Sequence, residues 1–299
     1  MISYLGIDVG GTKVAFRLAS RDADPVQETF RWTPDADADT DLAELSRHAR
    51  IVAGRAAEPI ESIGIATPAT VDSLGRVAAW PNRPTWMGVP LSRRLAESFP
   101  GIPVRVADDG DLAAVAEADA AGARDVVYVG VGTGVGGGIV CAGRSVPGTR
   151  RGSCELGHLV VDLDGPRCDC GRSGCVQAFA SGPAILRHAG SLRGKDVSFD
   201  ELHNAMAAGD AWAVDAIERA SRALAAAIVG AAELVRADVA VVGGGFAMGL
   251  TGFVAAVGQR VAELGRPGHP PPEVRPALLG GLSSLYGAVL LARDAAVGG

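Results

Sequence analysis

The sequence lacks the basic runs typical of proteins that bind nucleic acids and the long apolar segments typical of membrane proteins. Its 299 residues carry a net charge of -6 and contain no run of basic residues, which argues against a nucleic acid or an anionic membrane surface as a partner. No apolar segment reaches membrane-spanning length without polar interruption, and residues 1–8 do not form a secretory leader. We therefore expect a cytoplasmic protein that acts on a small molecule.

Cysteine is also scarce, and its distribution does not suggest disulfide bonds. Only five cysteines occur, three of them in one short segment, which leaves Cys141 and Cys154 over. Reducing conditions fit this pattern best. The hydrophobic fraction of 48% is ample for a buried core, and a chain of this length corresponds to about two domains.

Strand and helix patterns alternate along the chain, which indicates a mixed α/β fold. Two units share the same order of a strand, a glycine-rich turn and a second strand, at residues 2–19 and 126–140. Helices are predicted at 41–56, 91–98, 112–121, 211–237 and 282–297, and further strands at 62–66, 104–107 and 239–242. We expect a small N-terminal lobe of residues 1–111 and a large C-terminal lobe of residues 112–281, with a closing helix in residues 282–299 packed on the first lobe.

Neither the Walker P-loop nor the Rossmann fingerprint is present among the glycine-rich turns. Instead, three such turns follow apolar strands, and glycine lets backbone amides approach phosphate oxygens and adopt positive φ values. The candidate nucleotide ligands are Asp8, Gly10, Gly11, Thr12 and Lys13, then Gly132, Thr133 and Gly134, and finally Gly243, Gly244 and Gly245. One glycine turn after a strand is usually only a turn, but three together predict ATP in an actin-like cleft.

Asp109 is the candidate general base for phosphoryl transfer, which needs a group to take the proton of the attacking hydroxyl. It follows the predicted strand 104–107, and ligands of α/β sheets bind at such strand ends. An alternative is that Asp109 or Asp111 only caps the next helix. Asp108 lies beside it, and adjacent carboxylates in one site disfavour joint ionisation. Asp8 is placed to hold Mg²⁺ through water, unless it is only a turn acid at the end of a strand.

Residues 155–175 gather metal ligands in a short glycine-containing segment. The candidate zinc ligands are His158, Cys168, Cys170 and Cys175, with Glu155 nearby in the sequence. Thiolates and a neutral imidazole suit one tetrahedral Zn²⁺, and a shell filled by protein leaves no position for water, as in structural sites. Gly171 and Gly174 can supply the tight turns that this convergence needs. The alternative, that the cysteines are small buried hydrophobes, does not suit a segment that contains Asp169 and Arg172.

Four segments resemble motifs of the ROK family of sugar kinases, which includes bacterial glucokinases and N-acetylmannosamine kinases. They occur in the family's order and span most of the chain, at residues 6–13, 131–138, 155–158 and 168–175. The resemblance implies two actin-like, ribonuclease H-like lobes with ATP and a sugar in the cleft between them. It also implies zinc on His158 and the three cysteines, a base at Asp109 and a homodimer. The sugar would lie against the loops that hold Glu155, His158 and Gln177.

Several positions depart from the family's pattern, and they fall around the sugar. The usual Asn-Asp-x-Asn motif begins here with Asp108, so that an amide that can donate becomes a carboxylate, and the glutamate that usually follows the last cysteine is Gln177. The candidate substrate ligands are Asp108, Asp109, Glu155, His158, Gln177, Asn82 and, in the altered Pro-Gly loop, Ala69 and Thr70. Because a site built for one hydroxyl pattern rejects others, we expect a polyhydroxylated acceptor other than plain glucose.

Three other functions fit parts of this pattern. Some ROK relatives phosphorylate C7-cyclitols of the 2-epi-5-epi-valiolone type in aminocyclitol pathways, and such a cyclitol 7-kinase is one alternative. A non-catalytic sugar sensor is another, although the retained Asp109, Thr12 and Thr133 favour an enzyme. A repressor is disfavoured, because the first phosphate strand begins at Ile2 and leaves no room for a helix-turn-helix ahead of it.

Overall fold

The computed structural model describes residues 2–20, 24–80, 83–148 and 153–293. The chain divides into two compact α/β units. The first comprises Met1–Ala116, Arg144–Ser153 and Leu282–Gly299, and the second comprises Glu117–Gly143 and Cys154–Gly281. Among the helices of the described ranges, none is both long and apolar enough to cross a membrane.

The elements follow one another along the chain in an alternating order. The strands are β1 (Ser3–Val9), β2 (Lys13–Ser20), β3 (Val26–Arg31), β4 (Ile60–Thr67), β5 (Thr70–Val71), β6 (Val77–Ala79), β7 (Val104–Asp108), β8 (Val126–Val131), β9 (Val135–Cys141), β10 (Arg144–Val146), β11 (Val239–Gly243) and β12 (Glu273–Pro276). The helices are α1 (Ala38–Ala53), α2 (Leu91–Glu97), α3 (Asp109–Ala121), α4 (Val176–Ala180), α5 (Gly182–Arg193), α6 (Phe199–Ala208), α7 (Ala211–Val235), α8 (Gly245–Gly249), α9 (Phe253–Glu263) and α10 (Ser283–Arg293). Short 3₁₀ helices lie at Pro84–Trp86, Leu156–His158 and Gly280–Leu282.

The first unit is built on a five-stranded sheet with the order β3-β2-β1-β4-β7. Strands β1, β2 and β3 are antiparallel neighbours, whereas β1, β4 and β7 run parallel. Asp8 pairs with Ala66, and Thr67 pairs with Asp108. The acidic residues at the ends of β1 and β7 therefore lie at the same edge of the sheet.

Helix α10 packs on this sheet along β1 and β4, and two glycines allow the close approach. A Cβ at Gly64 would lie 2.0 Å from the carbonyl oxygen of Ala288, and one at Gly6 would lie 2.6 Å from Cγ2 of Val289. Such distances are too short for any side chain, so Gly6 and Gly64 are required by packing. The contact places the first turn of α10 beside the carboxyl end of β1.

The second unit orders its strands as β9-β8-β11-β12. Strands β8 and β9 form an antiparallel hairpin, and β11 runs parallel to both β8 and β12. Helix α7 packs against α4, α5 and α9. It contributes Ala220, Leu224 and Ile228 to the core, and all three are fully buried. Gly243 pairs with Gly130, so the turns that follow β8 and β11 leave the sheet at the same edge.

The predicted α/β architecture is confirmed, including both hairpins, but several boundaries differ. Helix α1 begins at Ala38 rather than residue 41, because the side chain of Asp37 accepts a hydrogen bond from the amide of Thr40 at 2.8 Å and caps the helix there. The first unit extends to Ala116 rather than to the predicted Asp111, so the division falls within helix α3. Residues 144–148 and Ser153, predicted to lie in the second lobe, belong to the first unit.

Candidate functional site

Three carboxylates, which we call the carboxylate edge, lie together in the first unit: Asp8, Asp108 and Asp109. Asp8 lies near the end of β1, Asp108 ends β7, and Asp109 begins α3. Burial is the largest cause that raises the pKa of Asp109 to about 7, and the charges of Asp108 and Asp8 contribute to the same rise. A carboxyl group with a pKa near the working pH can accept a proton from a hydroxyl group.

Asp8 is held by a side chain from the far end of the sequence. The hydroxyl of Ser284, in the first turn of α10, donates to Oδ2 of Asp8 at 2.7 Å. Burial raises the pKa of Asp8, while the hydrogen bond from Ser284 and the charge of Lys13 act against this rise. Sequence reasoning missed Ser284, because no local motif indicates a contact between residues so far apart.

Asp108 caps helix α3. Its Oδ1 accepts hydrogen bonds from the amides of Gly110 at 2.9 Å and Asp111 at 3.2 Å. These are the second and third residues of the helix, the donors that an N-cap side chain satisfies. The alternative that Asp109 or Asp111 is the cap is therefore wrong, and the capping residue is the one that departs from the family's asparagine.

The turn of residues 10–13, here called the Gly10 turn, joins β1 to β2. The amide of Gly10 donates to the carbonyl of Lys13 at 3.0 Å, and the side chains of Thr12 and Lys13 are exposed. Two side chains that sequence reasoning missed also bind the turn: Nε1 of Trp32 donates to the Gly10 carbonyl at 2.8 Å, and Nε of Arg83 donates to the Gly11 carbonyl at 3.2 Å. Single tryptophan and arginine residues outside a motif gave no signal for these contacts.

The other two glycine turns lie in the second unit. In the turn of residues 132–134, the amide of Gly132 donates to the Gly134 carbonyl at 2.9 Å. In the turn of residues 243–245, Gly244 has a φ of 90°, and a Cβ there would lie 2.4 Å from the carbonyl oxygen of Val131. Among the glycines of the three turns, Gly244 is the one that uses the positive φ that glycine permits.

The side chain of Gln177 lies beside the turn of residues 132–134. Its Oε1 accepts a hydrogen bond from the amide of Val135 at 3.1 Å. A Cβ at Gly134 would lie 2.9 Å from the same oxygen, so the glycine makes room for the side chain. Gln177 stands where the family usually has glutamate. It therefore keeps an acceptor on the turn and has an amide nitrogen in place of the second carboxylate oxygen.

Four side chains of residues 155–175, here called the metal loop, converge on one point. The ligand atoms of His158, Cys168, Cys170 and Cys175 all lie within 4.8 Å of one another. Sγ of Cys170 lies 3.6 Å from Sγ of Cys175, and Sγ of Cys168 lies 3.7 Å from Nδ1 of His158. Ligands around a tetrahedral Zn²⁺ are separated by about 3.5 to 3.8 Å, given the usual Zn–S and Zn–N bond lengths. The donor set and its spacing therefore fit zinc.

The glycines of the metal loop adopt the turns predicted for them. Gly171 and Gly174 have φ values of 92° and 75°, and a Cβ at Gly174 would lie 1.5 Å from the carbonyl oxygen of Asp162. The backbone amide of Arg172 lowers the pKa of Cys170 to about 6, whereas burial raises the pKa of Cys175 to about 11.

His158 has a different neighbour on each ring nitrogen. Nδ1 faces Cys168, and Nε2 lies 4.0 Å from Oε2 of Glu155. The imidazole can thus bind a metal through Nδ1 while its second nitrogen faces a carboxylate, an arrangement that fixes the ring orientation of metal-binding histidines.

Two further sugar candidates, Ala69 and Thr70, follow β4 in the chain. The amide of Ala69 donates to Oγ1 of Thr67 at 3.3 Å, and Thr70 is exposed in the short strand β5. Thr67 pairs with Asp108 in the sheet. Ala69 comes two residues after Thr67 in the chain, so the loop after β4 begins beside the carboxylate edge. Asn82 lies outside the described residues.

Comparisons with known proteins agree on one family. The ROK family model matches residues 4–295. A kanosamine kinase from Amycolatopsis mediterranei is 50% identical over 99% of this chain and 97% of its own length. The crystal structure of a ROK hexokinase from Thermus thermophilus has a TM-score of 0.87 at 32% identity and covers 97% of this chain and 98% of its own. A ROK family glucokinase from Streptomyces griseus, in complex with glucose and AMPPNP, has a TM-score of 0.78 at 27% identity over 97% and 99% of the two chains.

The glycine turns, the carboxylate edge and the metal loop thus occur in a chain that matches this family over nearly its whole length. The chain belongs to the ROK family and is an ATP-dependent carbohydrate kinase.

Proposed function

We propose that this kinase phosphorylates an amino sugar of the kanosamine type, with Asp109 as the general base. The observation that carries the proposal is the carboxylate edge, where burial and two neighbouring acids raise the pKa of Asp109 to about 7. A base with this pKa is ready to accept the proton of the attacking hydroxyl near neutral pH. The relative that is 50% identical to this chain is a kanosamine kinase.

Asp108 supports an amino sugar as the acceptor. An asparagine at this position would cap α3 equally well through its side-chain oxygen, so the cap alone does not require a carboxylate. The carboxylate differs in adding a negative charge beside Asp109. Kanosamine is a glucose in which one ring hydroxyl is replaced by an amine, which is an ammonium group near neutral pH. A charge-assisted hydrogen bond between ammonium and carboxylate is stronger than one between neutral groups.

We assign the phosphates of ATP to the glycine turns. The Gly10 turn would present the amides of Gly11 and Thr12 and the ammonium group of Lys13, and the turn of residues 132–134 would add the hydroxyl of Thr133. Gly243, Gly244 and Gly245 would face the nucleoside. Asp8 would hold Mg²⁺ through water, since Mg²⁺ keeps several waters and takes few protein carboxylates.

We assign a structural Zn²⁺ to His158, Cys168, Cys170 and Cys175. The ion would supply four bonds that hold the metal loop in one conformation. Within that loop, His158 and Glu155 would then face the sugar from a fixed backbone. Gln177 follows the last ligand directly in α4 and would be held by the same loop.

Two expectations from the sequence stay proposals. A homodimer is proposed from the family resemblance. A cytoplasmic location is proposed because ATP and reduced thiols are both needed by the assignments above.

A substrate screen tests the proposed acceptor. We expect kanosamine to give a higher kcat/KM than glucose, N-acetylmannosamine or a valiolone-type cyclitol. The Asp108→Asn variant keeps the cap and loses the charge, so its kcat/KM for kanosamine should fall about 10- to 100-fold, the loss of a hydrogen bond to a charged group, while that for glucose does not fall. Preference of the wild type for a neutral sugar or cyclitol, or an equal effect of the variant on both sugars, would contradict the proposal.

A further inference from the structure

A buried polar cluster in the first unit lies against the Gly10 turn. Nη1 of Arg83 lies 3.2 and 3.1 Å from the two carboxylate oxygens of Asp41, and Nε1 of Trp86 donates to Oδ2 of Asp41 at 2.7 Å. Asp41 is fully buried, and the side chain of Arg83 is 8% exposed. The guanidinium carbon of Arg83 also lies 5.0 Å from the ring centroid of Trp32.

This cluster supplies donors to three consecutive carbonyl groups of the turn. Nε1 of Trp32 donates to Gly10 at 2.8 Å, and Nε of Arg83 donates to Gly11 at 3.2 Å. The backbone amide of Trp32 donates to Thr12 at 3.3 Å. The carbonyl side of the turn is therefore occupied by hydrogen bonds from Trp32 and Arg83.

The direction of these carbonyls fixes the direction of the amides. In a trans peptide unit the C=O of one residue and the N–H of the next point in opposite directions. With the carbonyls of Gly10 and Gly11 held by Trp32 and Arg83, the amides of Gly11 and Thr12 point away from the cluster. Successive amides aimed to one side form a concave anion site.

We propose that Trp32 and Arg83 are positioning residues for ATP, which hold the Gly10 turn so that its amides face the phosphates. The inference rests on the proposed role of the turn as a phosphate ligand. Arg83 acts here through its N–H donors rather than through its charge, because Asp41 pairs with that charge within the core. Amides held in place before the ligand arrives need no reorganisation when it binds.

Trp32→Phe is the sharpest test, because it removes the donor to Gly10 and keeps an aromatic ring in the core. Trp80→Phe is its matched control: Trp80 is 2% exposed in the same core cluster, and its indole nitrogen has no hydrogen-bond partner among the described residues. Calorimetry would give the dissociation constants of Mg-ADP and of adenosine for the wild type and both variants. Thermal unfolding would be followed alongside.

Trp32→Phe should weaken Mg-ADP binding about 2- to 10-fold, the loss of one hydrogen bond, with little change for adenosine. Trp80→Phe should change neither constant. Equal weakening of ADP and adenosine by Trp32→Phe, or equal effects of the two variants, would overturn the positioning role. A wild type that binds Mg-ADP no more tightly than adenosine would instead overturn the phosphate role of the turn, and the inference with it.

Arg83→Lys gives a second measurement if Trp32→Phe does not fold. Lysine keeps a positive charge beside Asp41 but lacks the planar fork that reaches both the carboxylate and the Gly11 carbonyl. The same selective loss of Mg-ADP affinity supports the proposal, and unchanged affinity for both ligands in a folded Arg83→Lys variant overturns it.

Discussion

The metal loop of the second unit and the carboxylate edge of the first are assembled in opposite ways. The metal loop takes its four donors from residues 158–175, and two glycines with positive φ fold that short segment on itself. The carboxylate edge instead joins the ends of β1 and β7 with Ser284 of α10, across 276 positions of sequence. A local site can be built by turns alone, whereas the carboxylate edge exists only once the sheet and α10 have packed.

The two regions should therefore fail differently when their residues are changed. Removing a donor from the metal loop should lower the stability of that loop. Removing a carboxylate from the carboxylate edge should instead lower the rate of phosphoryl transfer. Burial of the Asp109 carboxylate destabilises the fold, so its loss should not reduce stability.

Asp109→Asn should have the largest effect. Without the proposed base the turnover should fall about 100- to 10,000-fold, while the affinity for ATP changes little. Steady-state kinetics and nucleotide titration would measure both. Asp119→Asn, an exposed change on the same helix, is the matched control and should retain turnover. If Asp109→Asn keeps most of the wild-type rate, the carboxylate edge does not supply the base and the contrast with the metal loop fails.

Cys175→Ser should have an effect of intermediate size, and it should act on metal binding and stability. The loss of one of four ligands should release zinc, lower the thermal midpoint and reduce activity about 10- to 100-fold, a range that weakened metal sites commonly show. Elemental analysis and thermal unfolding would follow the two changes. Cys141→Ser lies outside the metal loop and should keep the metal. Full activity of Cys175→Ser without metal would show that the loop does not need the ion.

Ser284→Ala should have the smallest effect, and it tests the long-range part of the carboxylate edge. Loss of the hydrogen bond to Asp8 should raise the pKa of Asp8 further and weaken the contact with hydrated Mg²⁺ that we propose for it. We expect the KM for Mg-ATP to rise about 2- to 10-fold with a smaller change in kcat. Ser191→Ala removes an exposed hydroxyl that bonds within its own helix and should leave KM unchanged. If the two variants behave alike, Ser284 does not position Asp8.

The same contrast explains what could be predicted from the sequence. The α/β fold and both hairpins follow from local patterns, as do the turns at Gly171 and Gly174. The cap of α3 could not be chosen from the sequence, because three acids in four residues offer the same capping chemistry and only the backbone direction selects Asp108. Trp32, Arg83 and Ser284 could not be found, because each is brought to its partner by packing rather than by spacing.

The most direct test of the carboxylate edge is the pH dependence of kcat/KM for a neutral hexose at saturating Mg-ATP, in the wild type and in Asp108→Asn. Asp109 must be ionised to act as a base, so kcat/KM should fall as the pH drops below about 7. Removing the charge of Asp108 should lower the pKa of Asp109 and move this fall to lower pH. The same midpoint in both proteins, or a flat profile across this range, would contradict the account.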